Sequence, residues 1–390
     1  MKNVALKKEC LRRATLVADW LVAGQISDRE SADRGRYIYM LPVRGEKART
    51  HYTTNWTTGM TAISMLMAWR RTGKKEYIAS VGTAIGYLKS LQCFDPRNKA
   101  AIGTFVEESP QSEGCHPRDA LSAAWGFLQL HMAMGNHNDL WRAQLFADWF
   151  SKHAVKNNYP AWTFYTRPGK PPYWQLGSFH GGSPLFFFDL YTVTKQEKWK
   201  RLGLKICDRW IELFLKDDGS IRIEIDPDTG RDMTGTGPNT GHIGWQDMHK
   251  LNDDFTTLAL MRAYKLTGRK HYREAATRYF DWVLSVQRPD GAFGAIPVNS
   301  GCASLIVELL DFAKLTGRKR YLEACMKSVP HFFSLQELKL KEPQFHGGFY
   351  CVDEVYTHNQ KATLGARTSA YALAALLKLE GGMKYRGYTA

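Results

Sequence analysis

The stretch FTTLALMRAYKLTGRKHYREAATRYFDWVLSVQ, from Phe255 to Gln287, reads as two helices broken by a turn. Its first part, through Leu266, is apolar on most sides, as suits a helix packed all round. Thr267-Gly268-Arg269-Lys270 then interrupts it. Glycine just past a helix takes the left-handed cap conformation, and basic residues there suit the negative end of the helix dipole. Beyond the turn, Tyr272, Ala275, Ala276, Tyr279, Phe280 and Val283 form one stripe, with Arg273, Glu274 and Arg278 off it. A turn this short joins antiparallel neighbours. The unit is therefore a hairpin with a fully packed inner helix and an amphipathic outer one.

The same phrase recurs outward in both directions. Its turns are Thr72-Gly73-Lys74-Lys75 and Thr316-Gly317-Arg318-Lys319, with weaker copies at Gly135 to Asn138 and Thr194 to Glu197. An aromatic follows each: Tyr77, Trp141, Trp199, Tyr272 and Tyr321. The helices before the turns are rich in small and apolar residues: Gly59 to Trp69, Ala120 to Met134, Pro184 to Val193, Phe255 to Leu266 and Ala303 to Leu315. Thr368 to Leu379 is a sixth. Five outer helices follow the turns, and the N-terminal segment, Val4 to Val22, supplies a sixth that closes the ring against the last inner helix. Repeats of an open helical solenoid have near-constant length; these do not. The expected fold is all-α, an (α/α)6 toroid of six hairpins in one domain spanning residues 1–390.

The chain has 44% hydrophobic and 13% aromatic residues, ample for a core. Its net charge of +15 attracts anions. The basic residues are dispersed, with no Lys/Arg run of five or more, so no nucleic-acid partner is expected. Seven Cys at scattered positions include no CxxC, which argues against a disulfide scaffold or zinc ribbon. No HxH or HExxH spacing occurs, and neither metal nor cofactor is expected. The N-terminus has no apolar run of signal-peptide length, and no uninterrupted apolar run reaches the length of a membrane span. The expectation is a soluble cytoplasmic protein without a membrane partner, or a periplasmic one if a leader has been removed.

The links from outer to inner helices are long: Cys93 to Arg118, Asn157 to Ser183, Asp217 to Asp253, Gln287 to Ser300 and Gln336 to Ala366. All lead to one mouth of the ring, where inner-helix N-termini favour an anion. They concentrate aromatics, His and carboxylates, a mixture that stacks on sugar rings and binds hydroxyls. Asp119, Asp247, Asp254 and His180 are the candidate catalytic groups, two separated carboxylates being what glycoside hydrolysis needs. Asn55, Trp56, His116, Arg118, Trp174, His242, Trp245, His249, His346 and Arg367 are candidates for substrate binding. Arg118 or Arg367 could grip a carboxylate with two parallel hydrogen bonds. The basic balance points to an acidic oligosaccharide.

This layout resembles the six-hairpin glycosidases, most of all those acting on uronic acids, such as the unsaturated glucuronyl hydrolases. The resemblance covers the whole ring and is architectural. It implies a Trp and an Asn before the first inner helix, matched by Asn55 and Trp56, and Asp residues at the starts of the second and third inner helices. Asp119 matches the first; the third carries His180-Gly181-Gly182 instead, which implies a different acid pair or a His-based reaction. Two other enzymatic readings stay open. One is a polysaccharide lyase or uronate epimerase with His180 or Tyr173 as base. The other is an isoprenoid cyclase-like ring, suggested by the Gln, Gly and aromatic residues in Ser285 to Gly294, although the chain lacks a DxDD acid motif. A non-enzymatic scaffold fits the dense mouth loops poorly.

Overall fold

The computed structural model describes residues 2–43, 51–167, 169–236, 249–251, 255–294, 299–351 and 363–381. Among these, twelve α-helices form six antiparallel pairs. The inner helices are α2 (Asn55–Thr72), α4 (Pro117–Met134), α6 (Pro184–Thr194), α8 (Thr256–Thr267), α10 (Asn299–Thr316) and α12 (Ala366–Gly381). The outer ones are α1 (Lys2–Ala23), α3 (Lys75–Leu91), α5 (His137–Trp149), α7 (Glu197–Phe214), α9 (Lys270–Ser285) and α11 (Lys319–Ser334). Each inner helix packs on the next around the circle, and α12 packs back on α2. The N-terminal helix α1 lies against α12, closing the ring as expected. The chain is thus an all-α toroid.

The turn chemistry explains the hairpins. Gly73, Gly135, Gly268 and Gly317 adopt positive φ, and each donates its N–H to a carbonyl in the last helical turn. Lys195 takes the same conformation at the weaker copy. The repeated Thr has its own task. Thr72, Thr194, Thr267 and Thr316 donate their hydroxyls to the carbonyl one helical turn back, and accept the N–H two residues on.

A second repeat ties outer helices to one another. Gln25, Gln92, Gln287 and Gln336 each follow an outer helix and open a β-bridge to an aromatic: Tyr37, Phe105, Phe293 and Phe349. Each side-chain amide donates to a backbone carbonyl of the following outer helix: Ser80, Arg142, Ala324 and, across the ring closure, Arg13. Between Gln and aromatic sits a glycine at positive φ: Gly35, Gly103, Gly291 and Gly347. A Cβ there would meet a carbonyl of that helix at 2.2–2.6 Å. The Gln287 copy is the segment whose Gln, Gly and aromatic residues suggested a cyclase ring; here they are a structural fastener. A related bridge joins Leu215 and Ile221 around Gly219, with neither the Gln nor the aromatic.

Short strands sew neighbouring mouth links together, a feature the helical periodicity does not show. β1 (Ile38–Pro42) lies between β2 (His51–Tyr52) and β9 (Thr363–Gly365), so the approaches to α2 and α12 share one antiparallel sheet. β3 (Gly114–Cys115) pairs with β6 (Phe164–Tyr165), β4 (Val155–Lys156) with β5 (Tyr159–Pro160), and β7 (Leu176–Gly177) with β8 (Glu224–Ile225). No helix among the described residues is long and apolar enough to cross a membrane.

Candidate functional site

The mouth of the ring holds a narrow cleft lined by the N-terminal halves of neighbouring inner helices. Trp56 and Met60 come from α2; Arg118, Leu121, Ser122 and Trp125 from α4. Phe179, Gly182 and Ser183 precede α6, Phe255 precedes α8, and Tyr371 comes from α12. A larger hollow lies on the outer wall, between Ser31–Arg34 and α3, away from the inner-helix N-termini.

Backbone chemistry sets these positions. Pro117 occupies the first turn of α4, where its missing N–H costs nothing, and Arg118 and Asp119 follow it. Gly181, in the 3-10 turn before α6, permits close approach, since a Cβ there would lie 2.2 Å from Thr256 Oγ1. Phe255 caps α8 in the left-handed region, φ 66°, unusual for an aromatic residue. That backbone places its ring 5.5 Å from Tyr371 in the cleft wall.

Trp56 is the hub. The Arg118 guanidinium carbon lies 4.1 Å from its ring centroid and that of Arg367 lies 4.3 Å away. The two arginines come from α4 and α12, the helices flanking α2. The ring is 8% exposed, so it serves to hold two cations rather than as an open stacking face. Arg118 Nη1 also lies 3.0 Å from Asp119 Oδ1.

Beside this group is a carboxyl that the pattern-based reading did not single out. Glu107, on the approach to α4, accepts the His116 N–H at 2.5 Å. Its own backbone carbonyl accepts the N–H of Asn55 at 3.0 Å, while the Asn55 amide donates to Val106 O at 3.1 Å. Burial, then the neighbouring Asp119 charge, push the Glu107 carboxyl well above the usual carboxylate range, despite opposing bonds from His116 and Asn55. Glu107 therefore holds its proton more tightly than an ordinary carboxyl, next to the Asp119 charge at the start of α4.

The remaining candidates divide. His180 is fully buried, edge-on to Tyr159 and 4.9 Å from the Phe179 ring. His249 is 7% exposed and 5.5 Å from the same ring, so the two imidazoles attend one cleft residue. His116 is turned to the strap after α5, with Nδ1 3.1 Å from both Trp162 O and Thr163 Oγ1. Trp174, on that strap, has Lys156 Nζ 5.8 Å from its ring and does not line the cleft. His346 also stays out of the lining: its Nδ1 is 2.9 Å from Leu340 O, inside the Gln336–Gly347 fastener. Asp247, Asp254, His242 and Trp245 lie outside the described residues.

No protein-family model matches the sequence, and no curated protein matches it. Solved structures do match over nearly the whole ring. One is a sugar epimerase from a ruminal bacterium, 14% identical, covering 97% of this chain and 99% of that one, TM-score 0.72. Cellobiose 2-epimerase from Bacillus thermoamylovorans is 12% identical, with 95% and 99% covered and a TM-score of 0.73. A family 76 glycoside hydrolase, a mannosidase from Bacteroides thetaiotaomicron, is 11% identical, with 95% and 98% covered and a TM-score of 0.69. At these identities the likeness establishes the fold: this chain shares the toroid of sugar epimerases and glycoside hydrolases.

Proposed function

We propose that the chain is a carbohydrate-active enzyme that hydrolyses a glycosidic bond beside an acidic sugar, with Glu107 and Asp119 handling the proton. One observation carries this reading: the proton-retaining Glu107 on the approach to α4 feels the charge of Asp119 at that helix's start, beside two arginines held on Trp56. A carboxyl whose proton is held above the ordinary carboxylate range is suited to protonating a leaving oxygen. Asp119, braced by Arg118, is the partner carboxylate. Arg118 and Arg367 are the receptors for a uronate carboxylate, since planar guanidinium matches it with paired bonds. The +15 charge draws such a substrate in. Hydrolysis also needs a group on the opposite sugar face. Asp247 and Asp254 remain the candidates for it, because their link leads directly to Phe255 of the cleft, and His242 and Trp245 of that link are candidates for binding hydroxyls.

Epimerisation is the second reading, favoured by His180 and His249, both packed against Phe179, and by the epimerases among similar structures. Removing a proton beside a sugar carbonyl and returning it to the other face takes two proton-transfer groups. A lyase using Tyr173 as base fits less well: its phenol is held above its ordinary value by burial and by Glu224 and Asp226.

One assay set separates these. The protein is incubated with unsaturated uronyl disaccharides, saturated glucuronate-capped oligosaccharides, intact polyuronide and cellobiose. Sugar release from the glucuronate-capped series, with no gain of ultraviolet absorbance on polyuronide, supports hydrolysis. New C2-epimer signals in proton NMR support the second reading. Absorbance gain on polyuronide, or no change in any sugar, overturns the hydrolase.

A further inference from the structure

The cleft does not end at Phe179. The Trp162 ring stands edge-on to it, 4.7 Å away at 89°, and Tyr173 continues the series 6.5 Å beyond. Trp162 is buried, at 8% exposure, whereas Tyr173 is 47% exposed. A packed aromatic cluster thus links the cleft wall to the rim, and its outermost ring, Tyr173, is open to solvent.

This strap is fixed to the site. Thr163 and Tyr173 form a β-bridge, with the Tyr173 N–H donating to Thr163 O at 2.8 Å. β6 pairs with β3, just before α4, and His116 bonds Trp162 O and Thr163 from the α4 N-cap. The helix that presents Arg118 and Asp119 therefore also sets the position of Tyr173. An exposed aromatic held by backbone pairing is pre-organised for stacking on a flat ligand face.

The local chemistry selects the ligand. The charges acting on the Tyr173 phenol are the carboxylates of Glu224 and Asp226, and its hydroxyl is 3.5 Å from Gln175 Oε1. Gln175 Oε1 and the partly exposed Asp226 can accept hydroxyl hydrogens, and the added negative charge of the buried Glu224 disfavours an anion here. We propose that Tyr173 is a distal subsite that stacks a neutral sugar ring, so that the substrate is a mixed oligosaccharide. Its acidic residue lies at Arg118 and Arg367, and its neutral end reaches out to Tyr173, whose ring is set in place by the buried Trp162. This rests on the carbohydrate reading above and adds length and composition to it.

The test uses a glucuronate-terminated cello-oligosaccharide series, from disaccharide to tetrasaccharide, with the full chain and its Tyr173→Ala and Tyr173→Phe variants. Two readouts are taken: kcat/KM for each length, and saturation-transfer NMR of cellotetraose binding. In the unmodified protein the tetrasaccharide should exceed the disaccharide in kcat/KM by about tenfold, the scale of one aromatic stacking contact. Tyr173→Ala should bring that ratio toward unity and abolish the cellotetraose signal. Tyr173→Phe should keep both, which separates stacking from proton transfer by the phenol. A ratio unchanged in Tyr173→Ala, or a flat length profile in the unmodified protein, overturns the subsite. If no sugar turns over, yet cellotetraose binds in a Tyr173-dependent way, the hydrolase reading fails and the subsite stands.

Discussion

The carboxyl of Glu107 sits where its charge is unwelcome, partly buried and beside Asp119. Its proton is therefore held to higher pH in the folded state than in the unfolded chain. A raised carboxyl contributes stability below its unfolded value and loses it as pH climbs through the folded one. Glu107→Gln keeps the shape and removes the ionisation. Activity should fall about a hundredfold, the usual scale for a proton-transfer group. In urea melts across pH, the variant should match the parent in acid and become the more stable as pH rises above the ordinary carboxylate range. A variant less stable at every pH would mark Glu107 as a structural hydrogen-bonding group. Arg367→Lys keeps the charge but loses the planar fork over Trp56; the expected result is a KM for acidic sugars raised about tenfold, with neutral-sugar KM unmoved. The starts of inner helices were legible, so Arg118, Asp119, Trp56 and Arg367 could be named from position alone. Glu107 could not, because it sits in an irregular approach with no periodicity to mark its direction. Phe179 and Tyr371 were hidden for the opposite reason: apolar side chains at helix starts look like core.

Elements in this ring are joined by two repeated devices, and only one is plain in the sequence. Glycine with basic residues marks each inner-to-outer turn because the cap needs both within a few positions. The Gln–Gly–aromatic fastener spreads over segments of unequal length, so a single copy, Gln287 to Phe293, was visible and its neighbours were not. The glycines make the distinction measurable. Gly268 takes φ 70° with open space around it, whereas Gly291 takes φ 90° and a Cβ there would lie 2.2 Å from Lys327 O on α11. Gly268→Ala should cost only the left-handed strain, about 1 kcal/mol. Gly291→Ala adds a backbone collision and should cost roughly 3 kcal/mol or more. Denaturant midpoints of the two variants check this. Equal losses would mean that α9 and α11 can part at Gly291 without penalty, and that the fastener does not hold them. Outer helices also clasp one another at their ends: Asp281 on α9 accepts the Tyr321 hydroxyl from α11 at 2.7 Å, and Asp19 on α1 accepts that of Tyr77 on α3 at 2.6 Å.

Closure separates a toroid from a solenoid, and here it depends on the first helix. Counting helices in the sequence left one inner helix without an outer partner at the C-terminus and one amphipathic segment spare at the N-terminus, so closure was legible as arithmetic. Its physical seam was not, since residues far apart in sequence make it. Val17, Ala18 and Leu21 of α1 are buried in the common core. The Trp20 indole donates to Gln344 O at 2.8 Å, Arg13 lies 4.2 Å from the Phe333 ring centroid, and Gln336 returns a bond to Arg13 O. Gly347 passes so close to Leu16 that a Cβ would come within 2.5 Å of its carbonyl. In a solenoid each repeat touches only its neighbours, and trimming a terminal repeat costs roughly that repeat's own interface. In a closed ring the same cut bares α12 and frees both ends of the circle. Removing residues 2–23 should therefore abolish the cooperative thermal transition of the whole chain, with a loss of helical circular dichroism far beyond that of the deleted helix. Supplying that segment as a separate peptide should restore part of the transition, because its buried face and its seam bonds are all made from one continuous helix. A truncated chain that still melted cooperatively near the original temperature would show that the remaining helices hold their arc without closure.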